Sequence, residues 1–345
     1  MKWQSHIGLD IGLTSVKLVQ LEPVDDKKFK LVSLGQVEAP KFENQLQWTA
    51  SRVEVIKALV KGSHVSSRQV ALSLPESQVY TRVVDMPFLE EPELSQAISW
   101  QAEQYIPIPL SDVVLKHQVL SLPEQGVPGA KMSVLLLAAP NEVLNNYMSV
   151  CLSAGLDVVA VETEVLAVIR ALTFGIPAFP PSLLVHIGAE TTTFCIYREG
   201  MLALTQSVGT GAVAITRAIG TELELDGAQA EQYKRSYGLD SSKLDGKVAA
   251  AAKPVVEYIL AEGKRVLGAY ESRDTSNREP VRRVVLSGGG SILPGIVPYI
   301  TGSMGLEVQL GDPWFAVNLT DNQKLEIGET APIFSVGVGL AMKIT

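Results

Sequence analysis

Two short stretches of the chain share a pattern suited to phosphate oxygens. Leu9-Asp10-Ile11-Gly12-Leu13-Thr14-Ser15-Val16-Lys17 and Val185-His186-Ile187-Gly188-Ala189-Glu190-Thr191-Thr192-Thr193 each read as an apolar strand, a polar residue, Ile-Gly, a tight turn and a returning strand. Glycine permits positive φ and close backbone approach, so such a turn aims several N–H groups one way. Thr14 and Ser15 add hydroxyls, Lys17 adds a cation, and Asp10 offers a carboxylate for a hydrated magnesium ion. A third stretch, Leu286-Ser287-Gly288-Gly289-Gly290-Ser291, follows an apolar strand with bare backbone on which a flat ligand can lie. A fourth, Ala230-Glu231-Gln232-Tyr233-Lys234, sets Glu231 and Lys234 on one helix face at i, i+3. Each feature alone is ordinary. Ile-Gly hairpins occur in many sheets, three glycines also make a plain strand-to-helix turn, and the charged pair also reads as a solvated ion pair. Two copies of the turn, one per half of the chain, argue for a paired phosphate site.

The elements that must hold these turns follow from periodicity. Segments 7–12, 15–22 and 29–38 read as a meander of three strands, and 48–61 as a helix with Val53, Ile56 and Val60 at helical spacing. Two more strands, 70–74 and 79–84, lead to a break at Met86-Pro87. A helix over 90–105 opens on Glu90-Glu91-Pro92-Glu93, acidic residues and proline suiting its first turn, and Pro107 and Pro109 close it. Strands 113–122 and 131–139 flank a loop at 123–130, then come a helix over 140–155 and a strand at 158–161. That block reads as a small α+β insertion. A helix over 164–172 returns to the first domain, and Gly175 to Pro181 marks a boundary. Beyond it lie a hairpin (183–187, 192–197), a third strand, helices from about 210 and over 227–237, and a long helix from Pro254 to about 273. A polar loop at 271–280, a strand at 284–287 and a last helix over 332–343 complete the chain.

At 345 residues the chain is long enough for about two domains. Hydrophobic residues make up 46% and charged residues 19%, which supplies a substantial core. The net charge of −8 argues against a nucleic-acid partner. Segments of about 18 uninterrupted apolar residues are missing, so no membrane span is expected. Met1 to His6 lacks the apolar stretch of a signal peptide, and two cysteines, Cys151 and Cys195, exclude a disulfide framework. Both cysteines are expected in the core, in a cytoplasmic protein. His6, His64 and His117 show no metal-ligand spacing.

Together these residues resemble the actin-like ATPase superfamily. Asp10 to Lys17 is similar to its first phosphate motif, His186 to Thr192 to its second, and Ser287 to Ser291 to its adenosine motif. Glu231 and Lys234 look like the ribose-contacting pair that FtsA and MreB carry. The resemblance implies an α/β fold of the actin-like ATPase type, with two βββαβα domains around a cleft that holds ATP and Mg2+. The implied nucleotide contacts are Asp10, Gly12, Thr14, Ser15, Lys17, Gly188, Ala189, Thr191, Thr192, Glu231, Lys234, Gly288, Gly289, Gly290 and Ser291. Asp10 would hold magnesium through water.

Within that superfamily, Met86-Pro87-Phe88, Glu93-Leu94 and Trp100-Gln101-Ala102-Glu103-Gln104-Tyr105-Ile106-Pro107-Ile108-Pro109-Leu110 are similar to the signature of the PilM family. These are FtsA-like proteins of the type IV pilus inner-membrane platform. The expected division is a first domain of 1–85, 160–176 and 332–345, an inserted α+β subdomain of 86–159, and a second domain of 177–331. The implied partner is the short cytoplasmic N-terminal tail of a PilN-like inner-membrane protein. It would bind as an extended peptide in a groove between the insertion and the first domain. The resemblance also implies contacts with pilus motor and platform proteins, and a place at the inner face of the cytoplasmic membrane through the partner. Self-association stays open.

One position departs from the pattern. The superfamily's second phosphate motif usually has Asp, and this chain has His186. Neutral imidazole is a poor magnesium ligand, and phosphoryl transfer depends on positioning and charge stabilisation. ATP is therefore expected to bind yet to be hydrolysed slowly at most, with Asp10 and His186 the candidates for any catalytic role. An active ATPase, a small-molecule kinase and an FtsA-like filament former remain the alternatives.

Overall fold

The computed structural model describes residues 5–40, 42, 44–122, 129, 131–272 and 279–344. The meander forms as three antiparallel strands, β1 (Ile7–Ile11), β2 (Ser15–Pro23) and β3 (Phe29–Glu38), with Asp10 opposite Lys17. Helix α1 (Gln45–Gly62) starts where the Asn44 side chain accepts the Gln47 N–H, and β4 (Gln69–Leu74) then runs parallel to β1. Next come β5 (Tyr80–Met86), α2 (Glu91–Tyr105), β6 (Val113–Ser121), β7 (Met132–Pro140), α3 (Asn141–Ser153), β8 (Asp157–Thr163) and α4 (Glu164–Thr173). The second half repeats the plan with β9 (Ser182–Ile187), β10 (Thr192–Arg198), β11 (Met201–Val208), α5 (Ala212–Glu222), α6 (Gly227–Tyr237), α7 (Lys247–Glu271) and β12 (Arg283–Ser287). After a 3-10 turn at Gly289–Ile292 follow α8 (Ile296–Met304), β13 (Glu307–Leu310), β14 (Val317–Asn318), α9 (Asp321–Ile327) and α10 (Ser335–Ala341).

Two sheets share one strand logic. The first runs β14-β3-β2-β1-β4-β8 and the second β11-β10-β9-β12-β13. In each, a three-stranded meander is extended from its first strand by parallel strands. The internal repeat seen in the turns is thus a repeat of whole domains. The third sheet, β5-β7-β6, is antiparallel and carries α2 on one face, where Leu94 and Ile98 pack on Met132, Val134 and Leu136. Its other face presents Leu135 to a core shared with α4, β9 and β10.

Several boundaries differ from those expected. Strand β5 hydrogen-bonds to β7, so 80–86 joins the inserted sheet, and not the first domain's. Strand β8 pairs with β4, and Tyr147, Val150 and Cys151 of α3 join the first domain's core, so both belong outside the insertion. Short apolar strands carry no mark of which sheet they will join. The chain also re-enters the first domain before 332, because β14 pairs with β3 and Trp314, Ala316 and Val317 pack on Val19, Leu21 and Phe29. Helix α7 begins at Lys247, with Pro254 inside it and not at its start. Burial of Val248, Ala251 and Ala252 favours the extra turns over a start at proline. Gly328–Phe334 is a 3-10 stretch, which delays the last helix to Ser335. The loops expected at 123–130 and 271–280 lie largely outside the described residues. Among the described residues no helix is long and apolar enough to cross a membrane.

Candidate functional site

The two turns sit at corresponding ends of corresponding strands, β1–β2 and β9–β10. In the second, Gly188 N–H closes the turn on the Thr191 carbonyl (2.8 Å). The Gly188 and Ala189 carbonyls accept the N–H groups of Ala212 (2.9 Å) and Val213 (2.8 Å), the first residues of α5. In the first turn the Leu13 carbonyl accepts from Arg52 Nη2 (2.8 Å) and the Thr14 carbonyl from Ala39 N–H (2.9 Å). A trans peptide sets each C=O antiparallel to the next N–H. Tying back two consecutive carbonyls therefore turns the N–H groups of Thr14 and Ser15, and of Ala189 and Glu190, to the opposite side of each turn.

Side chains sort into those free to meet a ligand and those already engaged. The hydroxyls of Thr14, Ser15 and Thr191 have no hydrogen bond among the described residues. By contrast, Thr192 is fully buried and donates to the Thr210 carbonyl (2.7 Å), and Ser291 is fully buried and donates to the Gly288 carbonyl (2.7 Å). Lys17 Nζ donates to Asp10 Oδ2 at 3.0 Å, across the β1–β2 register. This pair leaves Oδ1 of Asp10 as the oxygen able to face a hydrated cation.

His186 lies at the end of β9, its Nδ1 3.1 Å from Ser287 Oγ on the neighbouring strand β12. Burial lowers its pKa to about 4, the field of Asp10 opposing and that of Lys17 assisting. The imidazole is neutral at physiological pH and near enough to the first turn to feel both of its charges. Behind it Gly288 has φ +85°, and a Cβ there would stand 2.5 Å from the Ile187 carbonyl and 3.0 Å from His186 Cε1. Only glycine leaves room for this ring. Gly290 is equally hemmed in by Ile187, whereas a Cβ on exposed Gly289 would meet nothing within 4 Å.

Glu231 and Lys234 tie α6 to α5. Lys234 Nζ donates to Glu231 Oε2 (2.7 Å), Thr216 Oγ1 (2.9 Å) and the Ala212 carbonyl (3.3 Å), which engages all three ammonium donors. Glu231 also accepts from Thr216 (2.7 Å) and Arg235 (2.8 Å). Partial burial works against its ionisation, yet Lys234, Thr216 and Arg235 hold its pKa down at about 2. Of the pair, Glu231 alone keeps capacity for a further hydrogen bond.

Two acidic residues were not singled out by sequence reasoning. Glu164, at the start of α4, accepts the Glu76 N–H at 3.3 Å. Burial raises its pKa to about 8, with Asp10 and Glu76 adding to the shift. Glu76 is buried, faces Thr81, Val165 and Thr163, and is raised to about 7 chiefly by burial. It lines a cavity of about 480 Å3 with Tyr80, Thr81, Tyr105, Thr191 and Thr205, where the three domains meet. In the sequence, Glu164 looks like any acid in a helix's first turn; only its proximity to Asp10 distinguishes it.

The chain as a whole is similar to known proteins. A PilM–PilN type IV pilus biogenesis complex superposes with a TM-score of 0.83 at 26% identity, covering 99% of this chain and 98% of that one. MreB5 of Spiroplasma citri bound to AMPPNP superposes with a TM-score of 0.55 at 11% identity, over 98% of this chain and 95% of the other, a likeness of fold. The cell division protein FtsA of Pseudomonas aeruginosa is 24% identical over 97% of this chain and 88% of its own length. The fold is the actin-like ATPase fold. The family model for type IV pilus assembly protein PilM matches residues 8–345, and the chain belongs to that family.

Proposed function

We propose that this chain is an ATP-binding scaffold of a type IV pilus assembly machine, which docks the cytoplasmic N-terminal tail of a PilN-like inner-membrane protein. The observation that carries the nucleotide reading is the pair of turns, each with two carbonyls tied back and its next N–H groups turned the other way. The phosphates belong on that N–H side, met by the free hydroxyls of Thr14, Ser15 and Thr191. Asp10 Oδ1 suits a hydrated Mg2+, and the open face of Gly289 suits the adenosine. Glu231 is the ribose acceptor, while Lys234, one turn along the same helix, holds it and ties it to α5. Bound magnesium would screen phosphate charge; the protein's part is to hold and orient.

Neutral His186 supports a scaffold over a fast enzyme, since it brings neither a carboxylate oxygen nor a positive charge to the second turn. The peptide is assigned to the junction of the inserted subdomain with the first domain, which places the protein at the inner face of the cytoplasmic membrane through its partner. Pilus motor and platform proteins are further contacts of this role.

The test is thermal unfolding with and without ATP·Mg, phosphate release, and capture by a synthetic tail peptide of the PilN encoded beside this chain. The expected result is a raised Tm with ATP·Mg, little phosphate released and retention of the peptide. Gly289→Val should leave Tm without ligand unchanged and abolish the ATP-induced rise, because its new methyls fill the open adenosine face. Equal ATP stabilisation in that variant would refute the adenosine placement.

A further inference from the structure

Behind the first turn lies a cation that nothing in the site has yet explained. Arg52 of α1 is fully buried, the bulkiest such side chain among the described residues. No carboxylate among the described residues forms an ion pair with it. Its acceptors are the Leu13 carbonyl (2.8 Å), the Pro40 carbonyl (3.1 Å) and, at 3.4 Å, Ser51 Oγ, while Nε has no partner among the described residues. The rings of Phe42 and Trp48 flank the guanidinium carbon at 5.5 and 6.0 Å. Tyr147 nearby stays a neutral phenol, because burial raises its pKa. Among the described residues this buried guanidinium meets only dipoles and rings, an arrangement that an anion sharing its surroundings would favour.

We propose that Arg52 is a positioning residue for a polyphosphate ligand: it clamps the first turn by the Leu13 carbonyl and supplies, from behind the turn, the cation that the phosphates neutralise. The inference rests on the nucleotide reading and deepens it. Lys17 is paired with Asp10 at 3.0 Å, so that pair brings little net charge to the turn. Arg52 provides the uncompensated charge there among the described residues. Its planar fork also joins the turn to Pro40, on the connection between β3 and α1, which a lysine ammonium matches poorly. Holding the Leu13 carbonyl back is what turns the Thr14 N–H to the other side.

The experiment measures affinities of the full chain and its Arg52→Lys and Arg52→Met variants for ATP·Mg, pyrophosphate and adenosine. A clamp on the phosphate turn predicts that Arg52→Lys weakens ATP and pyrophosphate at least about threefold and leaves adenosine unchanged. Arg52→Met, if it folds, should weaken the two phosphate ligands at least tenfold. A merely structural arginine would lower Tm without altering the ratio of ATP to adenosine affinity. Wild-type ATP affinity in Arg52→Lys, or equal losses for ATP and adenosine, would overturn the clamp while the nucleotide reading stands. A wild-type chain that binds no ATP would overturn both.

Discussion

The two turns each have two consecutive carbonyls tied back, by different means. The two carbonyls of the second are held by backbone alone: α5 brings its first N–H groups to Gly188 and Ala189, and Gly211 lets the helix come that close. The first is held by one N–H, from Ala39, and by the side chain of Arg52. Charge differs as well. The first turn has Asp10, Lys17 and Arg52 about it; the second has the neutral ring of His186, a helix N-terminus and the exposed carboxylate of Glu190. A backbone support tolerates side-chain change but fails when the backbone is displaced. A side-chain support fails at a single residue and acts on ligand charge as much as on shape.

The comparison breaks most severely at Gly211. A Cβ there would stand 2.7 Å from the Gly188 carbonyl and 2.8 Å from Ala189 backbone atoms. Gly211→Val is expected to cost roughly 2–4 kcal/mol of stability and to abolish ATP binding, read by denaturant unfolding and calorimetry. Normal stability would mean that α5 can retreat without loss and that the second turn does not depend on it.

Lys17→Ala removes charge at the first turn and leaves its carbonyl clamps in place. ATP affinity should fall by ten- to a hundredfold, about 1.5–3 kcal/mol, with the fold intact. A loss much smaller than that in Arg52→Met would assign the useful charge to the buried residue, sharpening the contrast between the turns.

The acids beneath the first turn give a pH signature. Glu76 and Glu164 are raised from 4.5 to about 7 and about 8, so the folded state keeps protons that the unfolded chain releases. Stability should therefore fall as pH rises from about 4.5 to about 8, and level off above. Glu164→Gln should flatten part of that slope and raise stability at pH 8 by on the order of 1–2 kcal/mol. An unchanged Tm profile between pH 5 and 9 would show that these carboxyls titrate normally.

The smallest expected effect is at the second turn's odd residue. His186→Asp puts a carboxylate at the end of β9, and with it a hard oxygen for magnesium that the exposed Glu190 of the turn does not place there. Phosphate release should rise from barely detectable to measurable and become more dependent on magnesium, with the tail peptide bound as before. Brisk hydrolysis by the unaltered chain, lost in His186→Asp, would make His186 a participant in catalysis and this protein an enzyme.

The sequence by itself determined most of the strands, though not β13 or β14 nor the helices α8 and α9 beside them, together with the repeated turns and the superfamily pattern, because these depend on neighbours within a few residues. Alternation marks a strand and Ile-Gly followed by hydroxyls marks a tight turn, whereas of the three glycines after β12 only Gly289 proves to be open backbone. What it left undetermined depends on residues far apart in the chain. Nothing local tells β5 that it will pair with β7 and not with β4, or α3 that it will pack on α1's domain, since the choice follows from total burial. Local sequence likewise cannot say that Thr192, Ser291 and Lys234 will be consumed by internal hydrogen bonds while Thr14, Ser15 and Thr191 make none among the described residues. Arg52 sits in a helix where charged residues are usually solvated; only the packing of Phe42, Trp48 and the β1–β2 turn around it makes it a buried cation. Tertiary structure decided which chemistry-bearing groups remain available, because availability is what is left after burial and internal pairing have been satisfied.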